Sequence, residues 1–227
     1  MESYGRKVEP LWLYRCKNNR TPVRKVAGTT DRFERVAAPS FTHTCPVLIL
    51  LPPSEKKAAN PGPAIDVYTG VLYKALDWTS LSPVAQMRGQ ESLAIISAKY
   101  GVLKPLDPIE PYKQKINNAL MREPVTRELD AVITDLVIDC RSSTYKSVWI
   151  PPHFKCVDIK VFAVVDGAKK AITHMSKKTR GEVTRTLLEE ATPKNPKELH
   201  AIISRDFQCQ LIAATASSPW VLEVIAR

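Results

Sequence analysis

Apolar residues in this chain come in short runs that stop abruptly in polar clusters. Val47–Leu51 leads into Pro52-Pro53-Ser54-Glu55-Lys56-Lys57, and Leu93–Ser97 into Lys99-Tyr100-Gly101. Residues 136–140 lead into Arg141-Ser142-Ser143-Thr144-Tyr145-Lys146, and residues 171–175 into Ser176-Lys177-Lys178-Thr179-Arg180-Gly181. Runs this short and this rich in β-formers predict buried strands. Between them the period changes to that of a helix. Val67, Val71 and Ala75, with Leu72 and Leu76 beside them, predict a helix over residues 66–76. Ser82 before Pro83 reads as an N-cap with proline at the first helical position. Pro124 is expected to open a further helix, with Leu129, Val132 and Ile133 facing inward. After Arg180, Val183, Leu187 and Leu188 make another apolar face. Asn195-Pro196-Lys197-Glu198 resembles a capping box ahead of Leu199, Ile202 and Ile203. Residues 208–213 and Trp220–Ile225 predict two closing strands across a Ser-Ser-Pro turn. Helices and strands alternate, so the fold class is α/β or mixed α+β, a central, mostly buried sheet with flanking helices.

If the strands run roughly parallel, the four clusters converge on one rim, where ligands of such sheets usually sit. Lysine, arginine, hydroxyls and free backbone N–H groups together suit phosphate or another anion. Net charge agrees: 33 basic minus 23 acidic residues gives +10, which favours a polyanionic partner. About half of that excess lies in residues 1–46, where Arg6, Lys7, Arg15, Lys17, Arg20, Arg24, Lys25, Arg32 and Arg35 face Glu2, Glu9, Asp31 and Glu34. This stretch lacks helical or strand periodicity, so it is expected to be a basic, poorly ordered extension, with the folded domain over residues 47–227. No apolar leader and no run near the roughly 18 residues of a membrane span is visible, which predicts a cytoplasmic protein without a membrane partner. Cys16, Cys45, Cys140, Cys156 and Cys209 are odd in number and contain no C-x-x-C pair, arguing against disulfides and structural metal. Cys140 beside Arg141 reads as a small core residue or, alternatively, an oxidant-reactive thiol.

The most distinctive stretch runs from Ser97 to Lys113, through Tyr100-Gly101-Val102-Leu103-Lys104-Pro105-Leu106-Asp107. Gly101 permits a positive φ, and three prolines stiffen the loop that carries Asp107 and Tyr112. Together with Pro53-Ser54-Glu55-Lys56-Lys57, Val67-Tyr68-Thr69-Gly70, Arg141-Ser142-Ser143-Thr144-Tyr145 and Ser176-Lys177-Lys178-Thr179-Arg180-Gly181 in this order, the chain resembles the YaaA family of bacterial peroxide-stress proteins. Leu50-Leu51-Pro52-Pro53-Ser54-Glu55 and Asp139-Cys140-Arg141-Ser142 are most similar to its actinobacterial branch. The resemblance implies an α/β protein with a positive cleft, binding to duplex or branched DNA, and a role in protecting DNA and limiting free iron under peroxide. It also implies a helix-hairpin-helix-like element, for which the Tyr100-Gly101-Val102 turn is the candidate. Against the family pattern the chain is shortened. Only nine residues, 58–66, separate the Ser-x-x-Lys loop from Val-Tyr-Thr-Gly, and a Phe-Trp or Tyr-Trp segment expected after Tyr112 is missing.

Two classes of function follow. In the first, a non-catalytic nucleic-acid binder, Lys56, Lys57, Lys99, Lys104, Arg141, Lys177, Lys178 and Arg180 contact phosphates, Tyr100 or Tyr145 stacks on a base or sugar, and Gly101 lets the backbone approach. In the second, an enzyme acts on a small phosphorylated or nucleobase ligand, with Ser54 or Ser143 as nucleophile or phosphate ligand and Lys57 or Tyr68 adjusting its protonation. The absence of a triad, metal set or Gly-rich nucleotide loop favours the binder, and the family resemblance implies DNA as its partner, with no cofactor, no assigned catalytic residue and an oligomeric state left open with a monomer favoured.

Overall fold

The computed structural model describes residues 45–190 and 192–226, so the extension read over residues 1–46 lies outside them apart from Cys45 and Pro46. These two already belong to the fold. Cys45 is buried and its N–H donates to the Ile133 carbonyl, while the Pro46 carbonyl accepts from Asp135 and Leu136.

The strands are β1 (Val47–Leu51), β2 (Gly62–Pro63), β3 (Leu93–Ser97), β4 (Gly101–Leu103), β5 (Pro108–Ile109), β6 (Leu136–Asp139), β7 (Cys156–Val165), β8 (Ala168–Lys170), β9 (Cys209–Ile212) and β10 (Trp220–Ile225). The helices are α1 (Ala64–Val67), α2 (Val71–Leu76), α3 (Pro83–Ser92), α4 (Asn118–Asp130), α5 (Ser143–Lys146), α6 (Thr173–Glu189) and α7 (Pro196–Ile203). Eight strands form one sheet in the order β4-β3-β1-β6-β7-β10-β9, with β8 hairpinned onto β7. From β3 to β10 the pairings are parallel, so the carboxyl ends of β3, β1, β6, β7 and β10 share one rim. The mixed α/β class is the one expected.

Both faces of the centre of the sheet are covered, which is why its strands read as unbroken apolar runs. Val47, Ile49 and Leu51 point into one core with Leu72 and Leu76 of α2, Val183 and Leu187 of α6, and Leu199 and Ile203 of α7. Leu48 and Leu50 point into the other, against Val125 and Leu129 of α4. α2 and α6 approach so closely that a Cβ on Gly181 would lie 2.2 Å from the Leu72 carbonyl oxygen, so only glycine fits there. Two helix starts follow their sequence signals: Ser82 Oγ accepts from the Ala85 N–H, and Asn195 Oδ1 accepts from Lys197 and Glu198.

Four local expectations are corrected. No strand occupies residues 171–175, because α6 begins at Thr173 and carries its period through Lys177, Lys178 and Arg180 to the buried Val183, Thr184, Leu187 and Leu188. Met175 is therefore helical and Gly181 sits mid-helix, away from its N-terminus. The predicted 66–76 helix is broken at Tyr68-Thr69-Gly70, where Tyr68 bridges Lys57 and the Thr69 N–H donates to the Lys56 carbonyl. α4 starts at Asn118 under the Asn117 cap, leaving Pro124 inside it and Ile133 exposed beyond it. Tyr100-Gly101-Val102 belongs to a β-hairpin, β3 to β4, with Gly101 at φ 78°, so strands and not helices stand on either side of the turn.

The longest strand, β7, escaped the sequence reading. Its alternation, Cys-Val-Asp-Ile-Lys-Val-Phe-Ala-Val-Val, runs into Asp166-Gly167, both at positive φ, which is the strongest short hairpin signal there is. Cys140 and Cys156 are buried, and burial pushes the Cys140 thiol up to about 12, so the core reading of Cys140 holds. Among the described residues no helix is long and apolar enough to cross a membrane.

Candidate functional site

A cleft of about 1330 Å³ opens at the carboxyl rim of the sheet. Besides residues 69–74 and 112–116, three pieces of chain build it. The loop after β1 supplies Pro52 to Lys57, the loop and short helix after β6 supply Ser142 to Lys146, and α6 supplies Thr173, Ser176, Lys177 and Arg180. A further wall exists because β7 outlasts its neighbour: β6 ends its pairing at Asp139 opposite Asp158, and β7 continues to Val165. Lys160, Val161 and Phe162 on this overhang line the cleft. The start of α6 is tied to the same overhang, Ser176 Oγ donating to the Val161 carbonyl and the Arg180 guanidinium to that of Ile159.

The loop after β1 is held from two sides. Tyr73 donates its hydroxyl to the Pro52 carbonyl at 2.7 Å. Ser54, only 7% exposed, packs so tightly on Gly70 that a Cβ there would lie 2.2 Å from Ser54 Oγ. Glycine in Val-Tyr-Thr-Gly is thus the residue that lets the loop lie down. Beneath the loop, the hydroxyl of Tyr112 bonds both Tyr68 at 2.9 Å and Ser97 at 2.8 Å. Tyr100 packs edge-on against Tyr112, with ring centres 5.7 Å apart. Burial pushes the Tyr68 hydroxyl well above its ordinary range, so Tyr68 is neutral near pH 7.

Lysine dominates the lining. Lys56, Lys57, Lys74, Lys113, Lys115, Lys146, Lys160, Lys177 and Arg180 face a single carboxylate, Glu55, among the described lining residues. Lys146 is paired with Asp158 at the edge. Such a concave field of one sign raises the local concentration of anions and attracts them from a distance.

Of the residues singled out from sequence, Ser54, Lys56, Lys57, Ser143, Tyr145, Lys177 and Arg180 meet in this cleft. Tyr68 is buried behind it, 1% exposed. Lys99, Tyr100 and Gly101 form the neighbouring β3–β4 turn, where Lys99 pairs with Glu110 at 3.7 Å and the Tyr100 hydroxyl accepts from the Glu110 N–H. Lys178 lies along α6, paired with Glu182 at 3.1 Å. Two residues are corrected outright. Lys104 follows the antiparallel β4, so it lies at the amino-terminal rim, its Nζ donating to the Glu91 carbonyl. Arg141 is fully buried and offers nothing to solvent: its guanidinium bonds Asp139 at 3.0 and 2.8 Å, the Tyr145 carbonyl at 3.1 Å and the Trp149 carbonyl at 2.8 Å. It props the loop after β6. Lys74, Lys113, Lys115, Lys160 and Phe162 were missed, and only the last two had a sequence signal, the alternation of β7.

Residues 52–211 match the family described as peroxide stress protein YaaA. The chain belongs to that family. A UPF0246 protein of Streptomyces coelicolor is 31% identical over 188 residues, covering 77% of this chain and 72% of its own. One from Shewanella denitrificans is 30% identical over 180 residues, covering 69% and 66%, and one from Corynebacterium efficiens is 36% identical over 138 residues, covering 55% and 54%. The chain thus spans between about half and three quarters of the length of these relatives. In this YaaA-family chain the short connection over residues 58–66 is tied to Val67 and to the segment around β5. The Ala58 N–H donates to the Val67 carbonyl, and β2 pairs with β5, leaving Ala64, Ile65 and Val67 buried. The five motif segments from Pro53-Ser54 to Arg180-Gly181 lie within the matched residues, and the Ser54 loop, the Ser143 turn and α6 converge on the cleft.

Proposed function

We propose that this protein binds nucleic acid through the phosphate backbone as part of a cytoplasmic response to peroxide, with the lysine-rich cleft as its docking surface. One observation carries the reading: cations from the β1 loop, α2, the segment after Tyr112, β7 and α6 are gathered round one concavity with Glu55 as the single acid among the described lining residues. Phosphate contacts of this kind position a duplex without reading its sequence. The peroxide context comes from the family description, and DNA is the polyanion that peroxide chemistry puts at risk. Residues 1–46 add further positive charge to the same chain.

Fluorescence anisotropy with labelled duplex over a salt series tests this. Affinity is expected to fall steeply with salt, and Lys56→Ala with Lys177→Ala to flatten the slope by about 1.8, at roughly 0.9 per phosphate contact. Loss should be uniform across DNA sequences. No binding at low salt, or a slope unmoved by both substitutions, refutes the proposal. A second reading, an enzyme on a small phosphorylated ligand, is favoured by one feature: Lys57, partly withdrawn from solvent over the rings of Tyr112 and Tyr68.

A further inference from the structure

Lys57 differs from the other cations of the cleft. Its Nζ donates to the Ser54 carbonyl at 2.7 Å and lies 4.1 Å from the centre of the Tyr112 ring and 5.7 Å from that of Tyr68. The amine is folded back on the cleft wall and only partly exposed to water. Burial pulls it below the ordinary lysine range, with the neighbouring Glu55 carboxylate opposing. A neutral amine keeps its N–H bond to the Ser54 carbonyl and still has a lone pair to attack with. Desolvation and neighbouring cations are the usual means by which a lysine becomes a nucleophile toward carbonyls. Lys56, Lys177 and Arg180 line the same cleft and suit the phosphate of whatever carries that carbonyl.

We infer that Lys57 forms a Schiff base with the aldehyde of a phosphate-bearing sugar, presented either as the ring-opened deoxyribose of an abasic site in DNA or as a free sugar phosphate. The inference rests on the phosphate-binding reading of the cleft. The Nζ lone pair attacks C1 of the open-chain sugar, a C–N bond forms, and the carbonyl oxygen takes up the proton that the amine gives away. With a second proton taken from solvent that oxygen leaves as water, and the nitrogen lone pair closes the C=N bond to give a protonated imine. Addition of water reverses the sequence and frees the sugar, so no oxidant or reductant is consumed.

Borohydride reduces such an imine to a stable secondary amine, which allows a direct test on the full chain. The protein is incubated separately with a duplex bearing one abasic site and with 2-deoxyribose 5-phosphate, reduced, digested and mapped by mass spectrometry. The adduct is expected on Lys57 with at least one probe, lost in Lys57→Arg and unchanged in Lys197→Arg on the exposed side of α7. If Lys57→Arg misfolds by circular dichroism, the map of the parent chain decides. An adduct scattered over surface lysines, or none, while intact duplex still binds by anisotropy, overturns the inference and leaves the DNA reading standing. Labelling of Lys57 by the sugar phosphate without duplex binding supports the inference and removes the DNA reading. Neither binding nor labelling overturns both.

Discussion

Arg141→Ala is the substitution that best separates a structural arginine from a phosphate contact. The side chains of Arg141 and Asp139 are 0% and 5% exposed, and the guanidinium makes two bonds to that carboxylate and one each to the Tyr145 and Trp149 carbonyls. Truncation leaves a buried carboxylate with only the Arg141 backbone N–H on Oδ1, and two carbonyls without their donor. Removing one partner of a buried ion pair costs about 3–5 kcal/mol. Hydrogen bonds to charged groups, at roughly 1.5–3 kcal/mol each, show that this figure is not inflated by the geometry here. For a domain of this size, about 2–4 °C per kcal/mol turns the loss into a fall of roughly 6–20 °C in melting temperature. Urea unfolding followed by tryptophan fluorescence reads the change directly, since Trp149 sits on the loop that Arg141 props. Asp139→Leu with Arg141→Met should recover much of the loss, because an apolar pair leaves no orphaned charge. A stability loss below about 1 kcal/mol, the range of an exposed pair, refutes the burial argument, above all if DNA affinity falls at the same time.

Gly181→Ala places a methyl 2.2 Å from the Leu72 carbonyl oxygen, where α2 and α6 cannot part without disturbing the core, so about 1–3 kcal/mol of stability should be lost in urea. An unchanged midpoint would mean that the two helices slide freely. Alkaline titration at 295 nm should show fewer of the seven tyrosines ionising near pH 10 than in unfolded chain. Burial raises Tyr68 and Tyr73 well above 10 and pushes Tyr145 up to about 12. These groups hold their protons when folded and release them when unfolded, so stability is intact below about pH 10 and falls as pH climbs towards 12. A full tyrosine signal at pH 10.5 from a chain still folded by circular dichroism would contradict this.

Much of the frame was legible in the one-dimensional text, because the physics behind it acts within a few residues. Parallel strands covered on both faces need unbroken apolar runs, and Val47–Leu51, Leu93–Ser97 and residues 136–140 supply them. The caps at Ser82 and Asn195 satisfy N–H groups no more than three residues away. β7 was equally local in its signal, alternation followed by Asp-Gly, and went unread beside louder runs. The fate of each charge was not legible. Lys99 and Lys104 stand close in sequence, yet β4 reverses between them and carries one to each end of the sheet. Arg141 and Lys57 look alike in polar clusters after strands. One meets Asp139 and two carbonyls and is sealed in the core, and the other meets Tyr112 from a distant segment and is left half in water at a cleft. Which residues are charged is a property of each side chain alone; how far each charge is solvated, and so what it can bind or attack, is set by neighbours that only the folded chain brings near.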